Sequence, residues 1–273
     1  MSQDDARALA CCAILTAHND GPKAAMSFVL PKSKADAVKQ QLVKDWDVFD
    51  WGTSLALLER LSRADADCPV INEIFEHIIA KSQYEITRGI FAPLKQDALP
   101  GLDLPRNFEN LWDAVTNNAN SDMGAFMHFL SGAQGANKTF HSITASALLN
   151  RINAGISGYE KAIRTLIVYG YSMDELAKIC DFSAWDLGRT GYLSKMAAVA
   201  GFIDETTSHQ YMVSAGKLAY KAYLDWRQFL AAYFIGHSIV YGSAGAIGNF
   251  RDTVQYLLKH KKSPYQKFPL KSA

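Results

Sequence analysis

The absence of proline from residues 106–263 is the feature that most constrains how this chain folds. Proline inside a helix removes a backbone hydrogen bond and clashes with the preceding turn, so helix interiors exclude it. Within the same stretch apolar residues recur at spacings of three and four, which is the pattern of amphipathic helices. No alternating strand pattern of useful length occurs in the sequence. We therefore predict an all-α protein of about ten to twelve helices.

Helix boundaries are predicted from capping residues and helix breakers. In the first third of the sequence, Gly, Pro or Asp-rich turns separate four predicted helices, at about residues 4–17, 34–45, 52–63 and 71–88. Three further helix starts are predicted from N-capping patterns, in which side-chain oxygens accept hydrogen bonds from otherwise unpaired backbone N–H groups. These patterns are Ser157-x-x-Glu160, Ser172-x-x-Glu175 and Asp225-x-x-Gln228.

A proline-rich segment divides the predicted helices into two groups. Residues 92–105 contain three prolines and one glycine, so they are predicted to form a loop. The loop joins an N-terminal helical half, residues 1–91, to a C-terminal half, residues 106–263. Because 49% of the 273 residues are hydrophobic, the chain can bury a large core. We predict one globular multi-helix domain with the loop as a surface crossover; a hinge between the halves is the alternative.

The C-terminal end is basic. The run from Lys259 to the last residue contains five lysines and no acidic residue, and residues 264–273 are predicted to form a basic tail. Lysines after a helix offset the negative end of its dipole, so a solvated end is the first interpretation. Contact with an acidic partner or with phosphates is the alternative.

Charge, cysteine spacing and hydropathy exclude several classes of protein. Lys plus Arg number 28 and Asp plus Glu number 27, so no net field attracts nucleic acid. No stretch approaches the roughly 20 apolar residues of a membrane-spanning helix. The cysteines, Cys11, Cys12, Cys68 and Cys180, match neither a zinc site nor a disulfide framework. Together with an acidic N-terminus that lacks a signal sequence, these features predict a cytoplasmic protein without a nucleic-acid partner or a membrane span.

The most distinctive residues lie in two segments of the C-terminal half. Ala-Trp-Asp-Leu-Gly-Arg at 184–189 is followed by Gly-Phe-Ile at 201–203, and then by Trp226, Phe229, Tyr233 and Gly236. Over about residues 168–242 this combination resembles the bacterial domain-of-unknown-function family typified by the YbeU and YbeR proteins. Earlier in the chain, Trp51-Gly52 ahead of a predicted helix resembles the same family's Trp-Gly helix start.

The resemblance implies a mostly helical bacterial cytosolic domain with no established activity. It also implies a structural motif, whose members here are Trp185, Gly188, Gly201, Trp226, Phe229 and Gly236. One residue departs from the pattern, because this chain has His237 where the family usually carries arginine.

Four polar residues of the two segments form the candidate site. Asp186 and Arg189 lie three residues apart, so they are predicted to pair on one face of a helix. Tyr233 and His237 share a face of the second motif helix, and packing of the two helices would join all four. One interpretation is an acid/base or anion-binding site in which His237 exchanges a proton near neutral pH. The other is a structural polar network that fixes how the helices dock.

No catalytic nucleophile, metal site or cofactor motif is predicted. Glu73 with His77 and Glu205 with His209 have helical spacing, but solvated ion pairs are the simpler interpretation. The glycine-rich segments 132–139 and 242–248 lack the preceding strand that phosphate and dinucleotide loops need. We interpret both segments as connections between helices.

These features favour a non-enzymatic protein whose work is to bind a protein partner. Balanced charge and many aromatic residues suit that function. The accessory character of the resembling family extends the prediction to an immunity or adaptor protein in bacterial competition or secretion. The alternative is an enzyme or small-ligand-binding protein that uses Asp186, Arg189, Tyr233 and His237 in a pocket between helices.

Overall fold

The computed structural model describes residues 1–66, 145–241 and 249–271. Within these ranges all regular secondary structure is helical, which confirms the predicted all-α fold. The chain groups into two compact units. The first unit comprises Met1–Cys68, Asp181–Phe234 and Ile247–Ala273, and the second comprises Pro69–Cys180 and Ile235–Ala246.

Several predictions fall on residues outside the described ranges. They are the helix at 71–88, the loop at 92–105, the glycine-rich segments 132–139 and 242–248, and the pair of Glu73 with His77. The division of the domain into two halves depends on that loop and therefore stays a prediction.

Four helices form the N-terminal part of the first unit: α1 (Gln3–Cys11), α2 (Ala13–Asp20), α3 (Ala35–Trp46) and α4 (Trp51–Ser62). The predicted bounds of α3 and α4 are right to within one residue. The single helix predicted at 4–17 is wrong, because the chain turns at Cys12 between α1 and α2. Cys12 packs so closely on Gly191 that a Cβ built on the glycine would lie 2.2 Å from the cysteine Cβ. The spacing of residues around Cys12 in the sequence gives no indication of this contact with Gly191.

The second unit contains α5 (Ala145–Val168) and α6 (Met173–Leu176). The helix start predicted at Ser157 is wrong, because this serine lies inside α5. The helix continues through the serine because apolar positions recur behind it at helical spacing. These buried positions are Tyr159, Ala162, Ile163 and Leu166.

Three long helices follow: α7 (Ala184–Val199), α8 (Glu205–Ala222) and α9 (Trp226–Tyr241). The first two lie in the first unit. The residues of α9 up to Phe234 belong to the first unit, and those from Ile235 belong to the second.

The other two predicted capping patterns are confirmed. At the start of α6, the Glu175 N–H donates to Ser172 Oγ at 3.2 Å, and the Ser172 N–H donates back to Glu175 Oε2 at 2.7 Å. At the start of α9, the Gln228 N–H donates to Asp225 Oδ1 at 2.7 Å. Both patterns depend on residues three apart, which is why the sequence is sufficient to locate them.

The C-terminal end of the first unit contains α10 (Arg251–Lys259) and α11 (Pro264–Lys267). The interpretation of the basic tail as a solvated end is wrong for its apolar residues. Tyr265 is 5% exposed and Leu270 is 1% exposed. The lysines remain on the surface while the apolar side chains between them pack into the unit, so the segment is both charged and anchored.

Helix α7 is the centre of the first unit. All fourteen residues from Ala184 to Ala197 are buried, and α7 packs against α2, α3, α4 and α8. A helix covered on every face must bury its polar positions too, and each costs free energy unless it finds a partner. The buried polar residues of α7 are Asp186, Arg189, Thr190, Ser194 and Lys195.

Acidic side chains at helix starts make stability depend on pH. Asp5, Asp50 and Asp204 accept hydrogen bonds from backbone N–H groups at 2.9, 2.8 and 2.6 Å, and these bonds hold the pKa of each carboxyl below its usual value. The unfolded chain therefore binds protons more readily at these sites. The stabilisation is complete above the unfolded pKa of about 4 and is lost as pH falls through the folded values.

We expect the urea midpoint of unfolding to fall with acidification in this range. Asp204→Asn keeps an oxygen acceptor at the start of α8 but removes the titrating group, so its midpoint should fall less steeply than that of the wild type. Identical pH slopes for the two proteins would contradict the contribution of Asp204. Circular dichroism at a series of pH values provides both curves.

Candidate functional site

Asp186 and Arg189 form a buried ion pair on α7, as their spacing predicts. Arg189 Nη2 donates to Asp186 Oδ1. Asp186 is fully buried and Arg189 is 5% exposed. The second carboxylate oxygen of Asp186 accepts the backbone N–H of Ala66 at 3.2 Å, across 120 residues of sequence. The pair therefore neutralises two buried charges and also attaches the end of the N-terminal segment to α7.

Aromatic rings enclose the guanidinium of Arg189. Its Cζ lies 4.2 Å from the centroid of the Trp185 ring and 5.8 Å from that of the Trp46 ring, within the range of cation–π attraction. Its Nε also donates to the Trp185 carbonyl at 3.3 Å. These contacts favour the interpretation of the pair as a structural network, which stability measurements can test.

Tyr233 and His237 both lie on α9, but in different units. The Tyr233 ring is buried in the first unit, 5.1 Å from the Trp185 ring. His237 belongs to the part of α9 in the second unit, where its ring lies 4.9 Å from that of Tyr241. The structure thus brings Tyr233 to the tryptophan that also contacts the ion pair. The four-residue cluster with His237 stays a prediction.

Two glycines of the motif have defined steric roles. A Cβ on Gly188 would lie 2.7 Å from the Tyr233 ring, so only glycine lets α9 approach α7 this closely. Gly201 has φ of 76°, a left-handed conformation that favours glycine. It ends α7 in a Schellman motif, in which the Phe202 N–H donates to the Ala197 carbonyl at 2.9 Å.

The remaining motif residues belong to an aromatic core. Trp226 is 3% exposed and Phe229 is fully buried, and their rings meet edge to face at 5.4 Å. The Trp226 ring stacks on Tyr265 at 5.2 Å, and its Nε1 donates to the Phe268 carbonyl at 2.6 Å. Gly236 is buried further along α9. Trp226 therefore attaches the C-terminal segment to α9.

Sequence reasoning missed the most unusual polar side chain of the first unit, Lys195. Its side chain is fully buried on α7, although lysine is almost always exposed. Nζ donates to Thr16 Oγ1 at 3.3 Å. One sequence signal was available, because Lys195 is the only charged residue between Arg189 and Asp204. A single lysine in an otherwise uncharged helical run has no polar face to occupy.

A cavity of about 370 Å³ lies beside Lys195. Five aliphatic residues and two charged residues join the lysine in its lining: Val29, Leu30, Ala35, Ala198, Val199, Lys32 and Glu205. The charged pair is exposed, so the cavity reaches the surface.

The second predicted Glu/His pair does not form a site of its own. His209 pairs with Asp5 on α1 rather than with Glu205, with Nε2 at 2.9 Å from Oδ1. The Phe28 ring meets the imidazole edge-on at 4.8 Å. Among the residues that the structure describes, no three His, Cys, Asp or Glu side chains are grouped so that they could hold a metal ion.

Two aromatic side chains are exposed where the chain passes from α3 into α4, Phe49 in the connection and Trp51 as the first residue of α4. Phe49 is 58% exposed and Trp51 is 63% exposed. Asp45 and Asp47 precede the two rings in sequence, Asp50 lies between them, and all three carboxylates are exposed. We call residues 45–51 the acidic aromatic turn. The segment contains three aspartates and no basic residue. The charged groups that accompany the two exposed rings within it are therefore all negative.

Hydrogen bonds hold the acidic aromatic turn in one conformation. Val48 is 2% exposed, and its N–H donates to the Leu42 carbonyl at 3.1 Å. The N–H groups of Phe49 and Asp50 both donate to Thr53 Oγ1 at 3.1 Å. The buried Val48, directly before Phe49, and the Thr53 hydroxyl that accepts from both N–H groups fix the direction of the backbone. The rings are therefore presented by a rigid element.

Comparison with known proteins gives a matching family model but no matching curated protein or solved structure. In the part of the chain that the structure describes, no helix has the length and apolar character needed to cross a membrane. A family model described as "Protein of unknown function (DUF1266)" matches residues 41–270. These residues include the acidic aromatic turn, the buried ion pair and both motif helices, and the chain belongs to this family.

Proposed function

We propose that this protein is a non-enzymatic cytoplasmic protein that binds a protein partner through the acidic aromatic turn. The observation that carries the proposal is the exposure of Phe49 and Trp51, each more than half accessible. Aromatic side chains supply most of the binding energy where they anchor an interface, and tryptophan is among the most enriched. Exposing two of them, two residues apart in the sequence, has no benefit for the fold.

The rigidity of the turn supports the same proposal. Binding costs free energy for every side chain and loop that becomes ordered at the interface. Here the bonds to Thr53 and the buried Val48 hold the backbone before any partner arrives. A partner therefore meets a surface that is already in its binding conformation.

Charge indicates what kind of partner fits. The turn presents Asp45, Asp47 and Asp50 around its rings, and hydrogen bonding holds the pKa of Asp50 below its usual value, so that this carboxyl is ionised at neutral pH. A complementary surface has an apolar pocket with lysines or arginines at its rim. Such complementarity accelerates association, and it weakens as salt is added.

In its specific form the proposal is an immunity or adaptor protein in bacterial competition or secretion. It includes membership of the bacterial group typified by YbeU and YbeR, which the residues at 184–189 suggest. The proteins encoded beside this chain are the first candidates to test as partners.

The experiment is coexpression of the tagged full-length chain with each genomic neighbour, followed by titration calorimetry on any complex. We expect one stoichiometric partner with a basic binding surface. In the double variant Phe49→Ser/Trp51→Ser, Kd should rise by about 30-fold or more, because the two anchors are lost together. The melting temperature should stay close to that of the wild type, since both rings are exposed.

Leu224→Ser is the matched control. Leu224 is 64% exposed and also belongs to the first unit, but it lies outside the turn, so Kd should not change. Asp45→Lys should lower the association rate at low salt and have less effect at high salt. The proposal is wrong if no neighbour forms a complex, or if the double variant binds as tightly as the wild type.

A further inference from the structure

Three basic side chains from separate parts of the first unit lie around Tyr220 on α8. Arg7 is on α1, and its Cζ lies 3.7 Å from the centroid of the Tyr220 ring. Lys271 follows α11, and its Nζ lies 5.6 Å from the same centroid. Lys217 precedes Tyr220 by three residues, so the two share a face of α8. We call Arg7, Lys217 and Lys271 the basic cluster.

Close packing of α1 against α8 assembles the basic cluster. A Cβ on Gly216 would lie 2.8 Å from the Ala8 nitrogen and 3.0 Å from the Arg7 carbonyl carbon. Both neighbours are backbone atoms, so a side chain at 216 would force the helices apart. The glycine therefore lets Arg7 lie beside this part of α8, where Lys217 is the next residue. Helix α11 also packs on α1, which brings the C-terminal segment to the same place.

The positive charge of the basic cluster is only partly neutralised. Asp4 faces two of its members, with Oδ1 3.5 Å from Arg7 Nη1 and Oδ2 3.2 Å from Lys217 Nζ. The neighbouring Asp5 is paired with a histidine of α8 instead. Among the described residues, no acid forms an ion pair with Lys271. Three positive charges and the one carboxylate of Asp4 leave a local net charge of +2.

The guanidinium of Arg7 has hydrogen-bond donors that the fold does not use. Its Nε is buried and has no hydrogen-bond partner. The contact of Nη1 with Asp4, at 3.5 Å, is longer than the roughly 2.7–3.2 Å of a hydrogen bond. The side chain is 12% exposed and that of Lys217 is 56% exposed, so a ligand can reach the cluster from solvent. Contact with the Tyr220 ring holds the guanidinium in place before a ligand binds.

We propose that the basic cluster binds the phosphate group of a small soluble phosphate monoester. Such a group carries a charge of about −1.5 to −2 at neutral pH, which matches the local charge of the cluster. A carboxylate or a phosphodiester carries one negative charge and would leave the cluster positive. The three terminal oxygens of a monoester can accept hydrogen bonds from the guanidinium and from both ammonium groups. The site shares no residue with the acidic aromatic turn and is additional to it.

The test is titration calorimetry of the full-length chain with glycerol 3-phosphate as the probe. Dimethyl phosphate, a diester, and acetate are the comparison anions. We expect saturable binding of glycerol 3-phosphate with a Kd of about 1 mM or below. Each comparison anion should bind at least about tenfold more weakly, because its single charge makes fewer charge-assisted hydrogen bonds. Added salt should weaken the binding of glycerol 3-phosphate.

Variants of equal charge change separate the site from the overall charge of the protein. Arg7→Met and Lys217→Met should each raise Kd for glycerol 3-phosphate by at least about tenfold, because each removes a donor and a charge from the site. Lys44→Met is the matched control, because Lys44 is exposed on α3, and its Kd should stay within about twofold of the wild-type value. Lys217 is more than half exposed, so its variant tests the site even if Arg7→Met is unstable. Circular dichroism confirms that each variant is folded.

The proposal is overturned if the folded wild type shows no saturable binding of glycerol 3-phosphate. Equal affinity for glycerol 3-phosphate and dimethyl phosphate would also overturn it, because the site would then not recognise the monoester. So would equal effects of Lys217→Met and Lys44→Met, because binding would then reflect overall charge. None of these measurements involves a protein partner, so the result does not depend on the acidic aromatic turn.

Discussion

Replacing Gly191 with alanine should destabilise the first unit by about 3 kcal/mol or more, at the upper end of the cost of overpacking a core. A Cβ at this position would lie 1.6 Å from Cys12 Sγ, 2.2 Å from its Cβ and 3.1 Å from its Cα. Rotation of the cysteine side chain can relieve only the first of these contacts. The other two require α7 to move away from the junction of α1 and α2. Urea unfolding followed by circular dichroism measures the loss.

Gly52→Ala is the control for this substitution. Gly52 also lies in a helix, but its nearest neighbour to an added Cβ is Asp50 Oδ1 at 3.6 Å, an ordinary contact. There the substitution should be neutral or should stabilise α4 by roughly 0.5–1 kcal/mol, because alanine loses less backbone entropy than glycine. Cys12→Gly in the Gly191→Ala background should restore part of the lost stability. Equal urea midpoints for Gly191→Ala and the wild type would show that the helices do not pack this closely.

Removal of one partner from the buried ion pair should have a comparable effect. Asp186→Ala should cost about 3–5 kcal/mol, because it leaves the Arg189 guanidinium without its carboxylate inside the core. It also removes the acceptor of the Ala66 N–H. Asp186→Asn should cost less than the alanine variant, because an amide oxygen can still accept that hydrogen bond. Chemical denaturation of the wild type and the two variants measures their free energies of unfolding and so gives the order of stability.

A double-mutant cycle distinguishes the two interpretations of the pair. In a structural network, Asp186→Leu with Arg189→Met should cost less than the sum of the two single variants, because no charge is left unpaired. If instead Asp186→Ala folds with wild-type stability but loses activity in cells, the pair belongs to a functional site. Additive costs would contradict the coupling that the structure implies.

The parts of the fold that depend on neighbouring residues could be predicted from the sequence. The starts at Ser172 and Asp225 depend on residues three apart, and the bounds of α3 and α4 depend on breakers beside them. Two of the errors occur where distant packing decides. The turn at Cys12 reflects contact with Gly191, and the anchored C-terminal segment reflects the stacking of Tyr265 on Trp226.

The candidate site divides in the same way. The pairing of Asp186 with Arg189 follows from their spacing on one helix, but no local pattern identifies the Ala66 N–H as a further partner, 120 residues away. Lys195 was missed because a lysine is ordinarily a surface residue, and its burial results from the helices that surround α7. In the acidic aromatic turn the error runs in the opposite direction, because aromatic residues that are usually buried are exposed there. Nothing in the sequence distinguishes an exposed tryptophan from a buried one.

The central position of α7 has a consequence for synthesis of the chain. Helices α1 to α4 leave the ribosome before α7, and this helix, which covers their apolar faces, lies about 120 residues later, the separation between Ala66 and its acceptor. At roughly 5–20 residues per second, translation takes about 6–24 s to produce it. During that interval the apolar residues of α1 to α4 lack the helix that buries them, and exposed apolar surface of this kind promotes aggregation. A message truncated before α7 would encode a product that remains in that state.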